Sequence, residues 1–206
     1  MVNEIRIYVE GGGDGKGTKS IVRKGFSLFL KELKSIARGK NIGWIIIACG
    51  PRGEAKNNYF TALKSHPDSF NVLLVDSEGP VKDIPWKHLK DRDRWDLDKS
   101  HNDNCHLMVQ FMESWLIADV EALNKFYGHG FRKNDITKTQ NVELISKQDI
   151  NLFLNKATRN TSKGNYHKIR HGPKILELLN TSIVRSKASH CNHLFKTLAK
   201  KMNEAI

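Results

Sequence analysis

Apolar residues recur along the first third of the chain in two alternating rhythms: short apolar runs, and stretches whose apolar residues stand three or four positions apart. Ile5–Val9, Trp44–Cys49 and Val72–Val75 read as strands. Trp44–Cys49 is nearly all apolar and β-branched in its middle, as suits a strand covered on both faces of a parallel sheet. Between the first two strands, Ile21, Gly25, Leu28, Phe29, Leu33 and Ile36 lie at helical spacing, with Thr18 as the expected N-cap. Glu54–Ser65 predicts a second helix with Tyr59, Ala62 and Leu63 on one face. The order β-α-β-α-β predicts a parallel sheet with right-handed crossovers.

After Glu78 the rhythm is lost. Residues 79–104 hold two prolines, two tryptophans and many charges, which predicts a long loop that is functional or mobile. Cys105–Met112 reads as a fourth strand and Ser114–Tyr127 as a helix. Leu107, Met108, Phe111 and Trp115 also fit a helix, in which case Glu113 leaves the site. Asp119 is placed to cap a helix beginning at Val120. Candidate helices Gln148–Thr158, Pro173–Leu179 and Thr181–Met202 make the last third helical and basic. The expected class is α/β: a mainly parallel sheet flanked by helices, with a helical C-terminal elaboration. A boundary near residue 128 separates an α/β part, 1–127, from a basic helical part, 128–206, which stands apart or packs on the same core.

Charge narrows the partners. The 206 residues carry 34 Lys+Arg against 22 Asp+Glu, a formal +12, which favours nucleic acid or another polyanion. Three cysteines (Cys49, Cys105, Cys191) form no CxxC pair and suit a reducing cytoplasm. The N-terminus has no signal-peptide pattern, and the longest unbroken apolar run, Trp44–Cys49, is far too short to span a bilayer. A soluble, cytoplasmic protein with no membrane partner is expected.

Within that basic chain, three of the four predicted strands end in carboxylates. Glu10 follows Val9, Asp76 and Glu78 follow Val75, and Glu113 follows Met112. Ligands of open α/β sheets bind beyond the C-terminal strand ends. Four carboxyl groups at one edge suit a hard, oxygen-seeking cation, Mg²⁺ or Mn²⁺, held by Glu10, Asp76 and Glu78 with Glu113 adjacent. On a strand, Asp76 and Glu78 point the same way and can share one ion. Two carboxylates so close raise each other's pKa unless a cation intervenes.

Other motifs carry less. Glu10-Gly-Gly-Gly-Asp-Gly-Lys-Gly-Thr18 suggests a phosphate loop at a helix N-terminus. It departs from Walker A, because Gly17 separates Lys16 from Thr18 and Glu10 stands where the first glycine belongs. A turn or mobile flap is the other reading. Lys16, Lys19 and Arg52 follow the first two strands and can offset phosphate charge. Lys163, His167, Lys168 and Arg170 surround Tyr166, as suits a phosphate backbone with a stacked base; a solvated basic loop is the plain alternative. Cys105-His106 and His190-Cys191-x-His193 lack structural-zinc spacing. No Gly-x-Ser-x-Gly elbow and no context for a Cys–His dyad exist.

Three stretches, Val9-Glu-Gly-Gly-Gly-Asp14, Leu74-Val-Asp-Ser-Glu-Gly-Pro-Val81 and His106-Leu-Met-Val-Gln-Phe-Met-Glu-Ser-Trp115, resemble the Toprim-like family of bacterial defence loci. Toprim is the metal-binding domain of topoisomerases, primases and overcoming-lysogenization-defect nucleases. The chain also looks similar, over roughly residues 5–198, to the nuclease effector of the PARIS anti-phage system, which works beside an ABC-type ATPase. The resemblance implies a Mg²⁺-dependent nuclease that hydrolyses phosphodiester bonds in RNA or DNA as a defence effector, with a homodimer as the active form. It implies that Glu10 is the Toprim glutamate, a general acid/base or metal ligand. Asp76 and Glu78 match the Asp-x-Asp metal pair with Glu as second member, and Glu113 falls in a motif without an assigned role. It also allows a non-catalytic regulatory or docking subunit of the ATPase complex.

Overall fold

The computed structural model describes residues 2–204. Its centre is a four-stranded, all-parallel sheet of β1 (Glu4–Glu10), β2 (Gly43–Gly50), β3 (Phe70–Asp76) and β4 (Cys105–Met108), in the order β2-β1-β3-β4. Val9 lies opposite Ala48 on one side and Leu74 on the other, so β1 is central and its end adjoins that of β3. The class is α/β as the apolar pattern predicts, and the arrangement is consistent with a Toprim-like fold.

Period-two alternation within the strands divides the core between the two sheet faces. Ile5, Ile7, Val9, Val72 and Leu74 face α1 (Lys16–Phe29) and α2 (Lys31–Gly39), while Tyr8, Leu73 and Val75 face α3 (Arg52–Ser65). The β1-to-β2 and β2-to-β3 crossovers therefore use opposite faces. In such a sheet the strand order reverses beside β1, and a crevice opens between the ends of β1 and β3.

The first helical stretch differs from its expected form. α1 begins at Lys16 with Gly15 as N-cap, and Thr18 instead donates its hydroxyl to the Gly15 carbonyl at 2.8 Å. The chain bends at Leu30, and α2 restarts with its own register. The buried face is therefore Val22, Phe26, Phe29, Leu33 and Ala37, while Leu28 and Ile36 are exposed. The long loop also contains structure: α4 (Pro85–Asp93) opens on Pro85 and buries Leu89 with Trp95 and Leu97 on the α3 side. A nine-residue helix with so few apolar positions leaves no visible period.

The fourth strand stops at Met108, four residues short of its expected end. Pairing continues as Ser77 and Glu78 donate backbone N–H groups to the Met108 and Gln110 carbonyls. The chain then turns into α5 (Met112–Ala118), with the Ser114 hydroxyl accepting the Gln110 N–H at 3.1 Å. α6 (Val120–Tyr127) follows, and Asp119 caps it by accepting the Ala122 N–H at 3.2 Å.

The remaining helices are α7 (Lys147–Thr158), α8 (Lys168–Leu176), α9 (Thr181–Lys187) and α10 (Ser189–Asn203). The single long helix expected over Thr181–Met202 is divided at Ala188, which is extended. One contiguous apolar core joins the α1 side of the sheet to these helices, through Trp115, Leu154, Leu176 and Leu198. α8 lies against α1 at Gly25, where a Cβ would stand 2.7 Å from the Pro173 carbonyl oxygen. No helix of the described residues is long and apolar enough to cross a membrane.

Candidate metal centre

The parallel register brings Glu10 and Asp76 to the same edge of the sheet. One Glu10 carboxylate oxygen accepts the Asp76 backbone N–H at 3.1 Å. Glu78 joins them by another route than strand alternation. β3 ends at Asp76, and Glu78 sits at φ +63°. A non-glycine residue in this left-handed region carries about 1 kcal/mol or more of backbone strain. One ligand atom from each of Glu10, Asp76 and Glu78 lies within 4.8 Å of the others.

Each carboxylate already has cationic company. Arg52, at the start of α3, donates one guanidinium nitrogen to Glu10 at 3.1 Å and to the Asp76 carbonyl. Its other nitrogens grip Asp93 of α4 at 2.6 and 3.3 Å, and its guanidinium lies 5.0 Å from the Trp95 ring. Asp76 accepts the Met112 backbone N–H at 2.9 Å with one oxygen and faces Lys168 Nζ at 3.3 Å with the other. Lys147, at the start of α7, pairs with Glu78.

Glu113 stays beside the site although it stands on a helix. Lys168 Nζ lies 3.9 Å from Glu113 Oε2 and so bridges it to Asp76. The Tyr166 hydroxyl donates to Glu113 Oε1 at 2.8 Å. Glu113 is 1% exposed, and its Oε2 has no hydrogen-bond partner.

Burial governs the electrostatics. Desolvation, reinforced by the neighbouring Asp76, pushes Glu10 up to about 7 despite Arg52. Burial also raises Asp76 and Glu113, against the opposing pull of Lys168. For Glu78 burial acts upward, but the Lys147 ion pair outweighs it and holds the carboxyl below its ordinary value. Lys168 is raised further, because Asp76 and Glu113 overcome the cost of its own burial.

A cavity of about 240 Å³ opens beside Glu10 and Asp76. The Gly11–Gly13 turn forms one wall, while Val22, Met112, Ile169 and Pro173 supply apolar surface. The turn is stapled to the end of β2 by paired Gly11–Gly50 backbone bonds of 2.8 and 3.0 Å. Gly50 has φ +91°, and a Cβ there would meet the Gly13 carbonyl oxygen at 2.4 Å. A larger open cleft, about 450 Å³ along Lys82, Asp83, His190 and His193, contains none of the clustered carboxylates.

The other basic residues disperse. Lys19 packs beside Gly50, while Lys16 and Arg170 are exposed. Lys163 lies 5.2 Å from the Phe126 ring, and His167 caps α8 by accepting the Arg170 N–H at 3.3 Å. The His106 and His193 rings stand 5.3 Å apart, but the acidic trio is the one three-ligand group among the described residues.

Sequence reasoning missed Asp93, Lys147 and the Tyr166 hydroxyl as partners of the site. Asp93 and Lys147 carry no local signal, since ordinary charged positions on surface helices look the same. Tyr166 was visible, but as a stacking platform.

A profile for a domain of unknown function, DUF4276, matches residues 9–199. The chain belongs to the DUF4276 family. The match takes in Glu10, Asp76, Glu78 and Glu113 together with Lys147, Tyr166 and Lys168, so this DUF4276 domain contains the whole site. No curated protein matches the chain, and no solved structure does.

Proposed function

We propose that this chain is a Mg²⁺- or Mn²⁺-dependent Toprim-like nuclease that hydrolyses phosphodiester bonds in RNA or DNA, acting as an anti-phage effector. One observation carries the reading: Glu10, Asp76 and Glu78 converge within 4.8 Å at adjoining parallel strand ends. The donor set is all carboxylate oxygen, which matches a hard divalent cation rather than a thiolate- or imidazole-seeking metal. Oε2 of buried Glu113, which faces Lys168 at 3.9 Å and has no hydrogen-bond partner, leaves further acceptor capacity beside the trio. The formal +12 of the chain favours a polyanionic substrate.

Glu10, Asp76 and Glu78 would hold the ion. Bound there, it supplies charge stabilisation to phosphoryl oxygens. The chain's own residues account for the rest. Arg52 holds Glu10 in place while its grip on Asp93 fixes the guanidinium. Lys168, with its side chain 55% exposed, offers an ammonium that can turn from Asp76 toward a phosphate. In the metal-free chain Glu10 keeps its proton up to about 7, so binding of the ion near neutral pH would displace that proton.

The test is cleavage of labelled RNA and DNA in Mg²⁺ or Mn²⁺, with Glu10→Ala and Asp76→Asn as comparators. Cleavage by the wild type that disappears in both variants supports the reading. Cleavage that persists in a clean Glu10→Ala preparation overturns it.

A further inference from the structure

We infer that the site accepts an unpaired nucleotide, whose base enters the apolar cavity while its phosphate stays at the carboxylate edge. The inference rests on the nuclease reading and adds the form of the substrate.

Burial is the first argument. The Asp76 and Glu113 side chains are 3% and 1% exposed. A phosphate approaching this edge must enter the crevice between the ends of β1 and β3. In a paired duplex the neighbouring base is held in the stack, and extruding it costs a few kcal/mol. A single strand presents phosphate and base without that cost.

The cavity supplies the second argument. It adjoins Glu10 and Asp76, yet much of its wall is the apolar surface of Val22, Met112, Ile169 and Pro173. Metal binding alone gives no reason for such a wall. Its 240 Å³ falls below the ~300–1,000 Å³ of drug-sized ligand pockets, so it suits one base rather than a stacked pair.

The rim repeats the pairing of chemistries. Lys168 and Ile169 are consecutive, and both line the cavity. Ile169 is 43% exposed, an uncovered large aliphatic side chain beside an ammonium. A nucleotide offers the complement, an apolar base face next to a charged phosphate.

The experiment measures binding, with Ca²⁺ in place of Mg²⁺ to suppress turnover. Probes are nucleoside 5′-monophosphates against ribose 5-phosphate, and a six-nucleotide single strand against a blunt duplex of the same sequence. The wild type is expected to prefer the nucleotide to the sugar phosphate and the single strand to the duplex. Ile169→Ala, at an exposed position, is expected to weaken single-strand binding about tenfold, the loss of one to two buried methylenes. Equal binding of ribose 5-phosphate, equal binding of duplex, or an unchanged Ile169→Ala overturns the inference. If these preferences hold while Mn²⁺ gives no cleavage of any strand, the nuclease reading fails and the nucleotide pocket stands.

Discussion

The Glu10 side chain accepts the backbone N–H of Asp76, so a carboxylate at the end of β1 is tied to the residue ending β3. This contact holds two acidic groups together in a poorly solvated crevice, and Glu10 keeps its proton up to about 7. The unfolded chain releases that proton near the ordinary 4.5. Between these values the folded state binds more protons, so the Glu10 contribution to stability is lost as pH rises through the window. Relative to Glu10→Gln, the metal-free wild type should lose on the order of 2 kcal/mol between pH 5 and pH 8. Urea melts of both proteins at the two pH values check this, and parallel pH profiles would contradict it.

Divalent metal should reverse that loss. A metal needs its carboxylates deprotonated, so Mg²⁺ or Mn²⁺ should bind more tightly at pH 8 than at pH 6. At a hundred times its dissociation constant, an ion that binds only the folded chain adds about 2.7 kcal/mol. Thermal melts with and without metal read the increment. Asp76→Asn should abolish it, and a full increment in that variant would exclude the trio as the binding site.

Arg52 couples two elements distant in sequence, with Asp93 gripping it at 2.6 Å and Glu10 at 3.1 Å. Its own pKa is raised, because these acids overcome the cost of burying the guanidinium. Arg52→Ala leaves partly buried carboxylates without their cation and should cost about 3 kcal/mol in metal-free protein. Arg52→Lys should recover little, since an ammonium lacks the planar fork. A double-mutant cycle with Asp93→Ala is expected to give a coupling of about 1–3 kcal/mol by urea denaturation. A coupling near zero would mean that Asp93 does not hold the guanidinium.

Glu143 performs a different task at the start of α10. Its carboxylate accepts the Ser189 hydroxyl at 2.7 Å, the His190 N–H at 2.8 Å and His190 Nδ1 at 2.9 Å. Burial pushes this group upward, but the His190 and Ser189 bonds outweigh it and hold its pKa low. Its stabilisation is present above the unfolded carboxyl value and fades as pH falls through the lowered one. Glu143→Ala should cost about 1–3 kcal/mol, by loss of a charged helix cap and of its bonds to Ser189 and His190. Chemical denaturation at pH 7 measures it, and a neutral result would remove the capping role.

Legibility followed the range of the interactions. β1, β2 and β3 were readable because each apolar run is local and meets a carboxylate, glycine or proline at its end. The acidic tips of β1 and β3 were readable for the same reason. Glu113 was read at a strand end because Leu107, Met108 and Phe111 continue the apolar run. The turn closed by Gln110 and Ser114 is a tertiary choice that this run does not encode. Lys168 resembled a solvated basic residue, and only the packing of α8 against α1 brings it to Asp76. Asp93 and Lys147 required knowledge of which surface helix returns to the sheet edge.

The contact of Gly25 with Pro173 has a consequence for dissecting the molecule. α8 brings Lys168 to the carboxylates, and the short spacer between the two helices is a single hydrogen atom. A chain cut near residue 128 would keep every proposed metal ligand, yet lose the ammonium, the phenol on Glu113 and the cover over Trp115. Such a fragment would leave Asp76 and Glu113 without Lys168 and Glu78 without Lys147, so assays of any reaction at this edge require the residues after 128 as well.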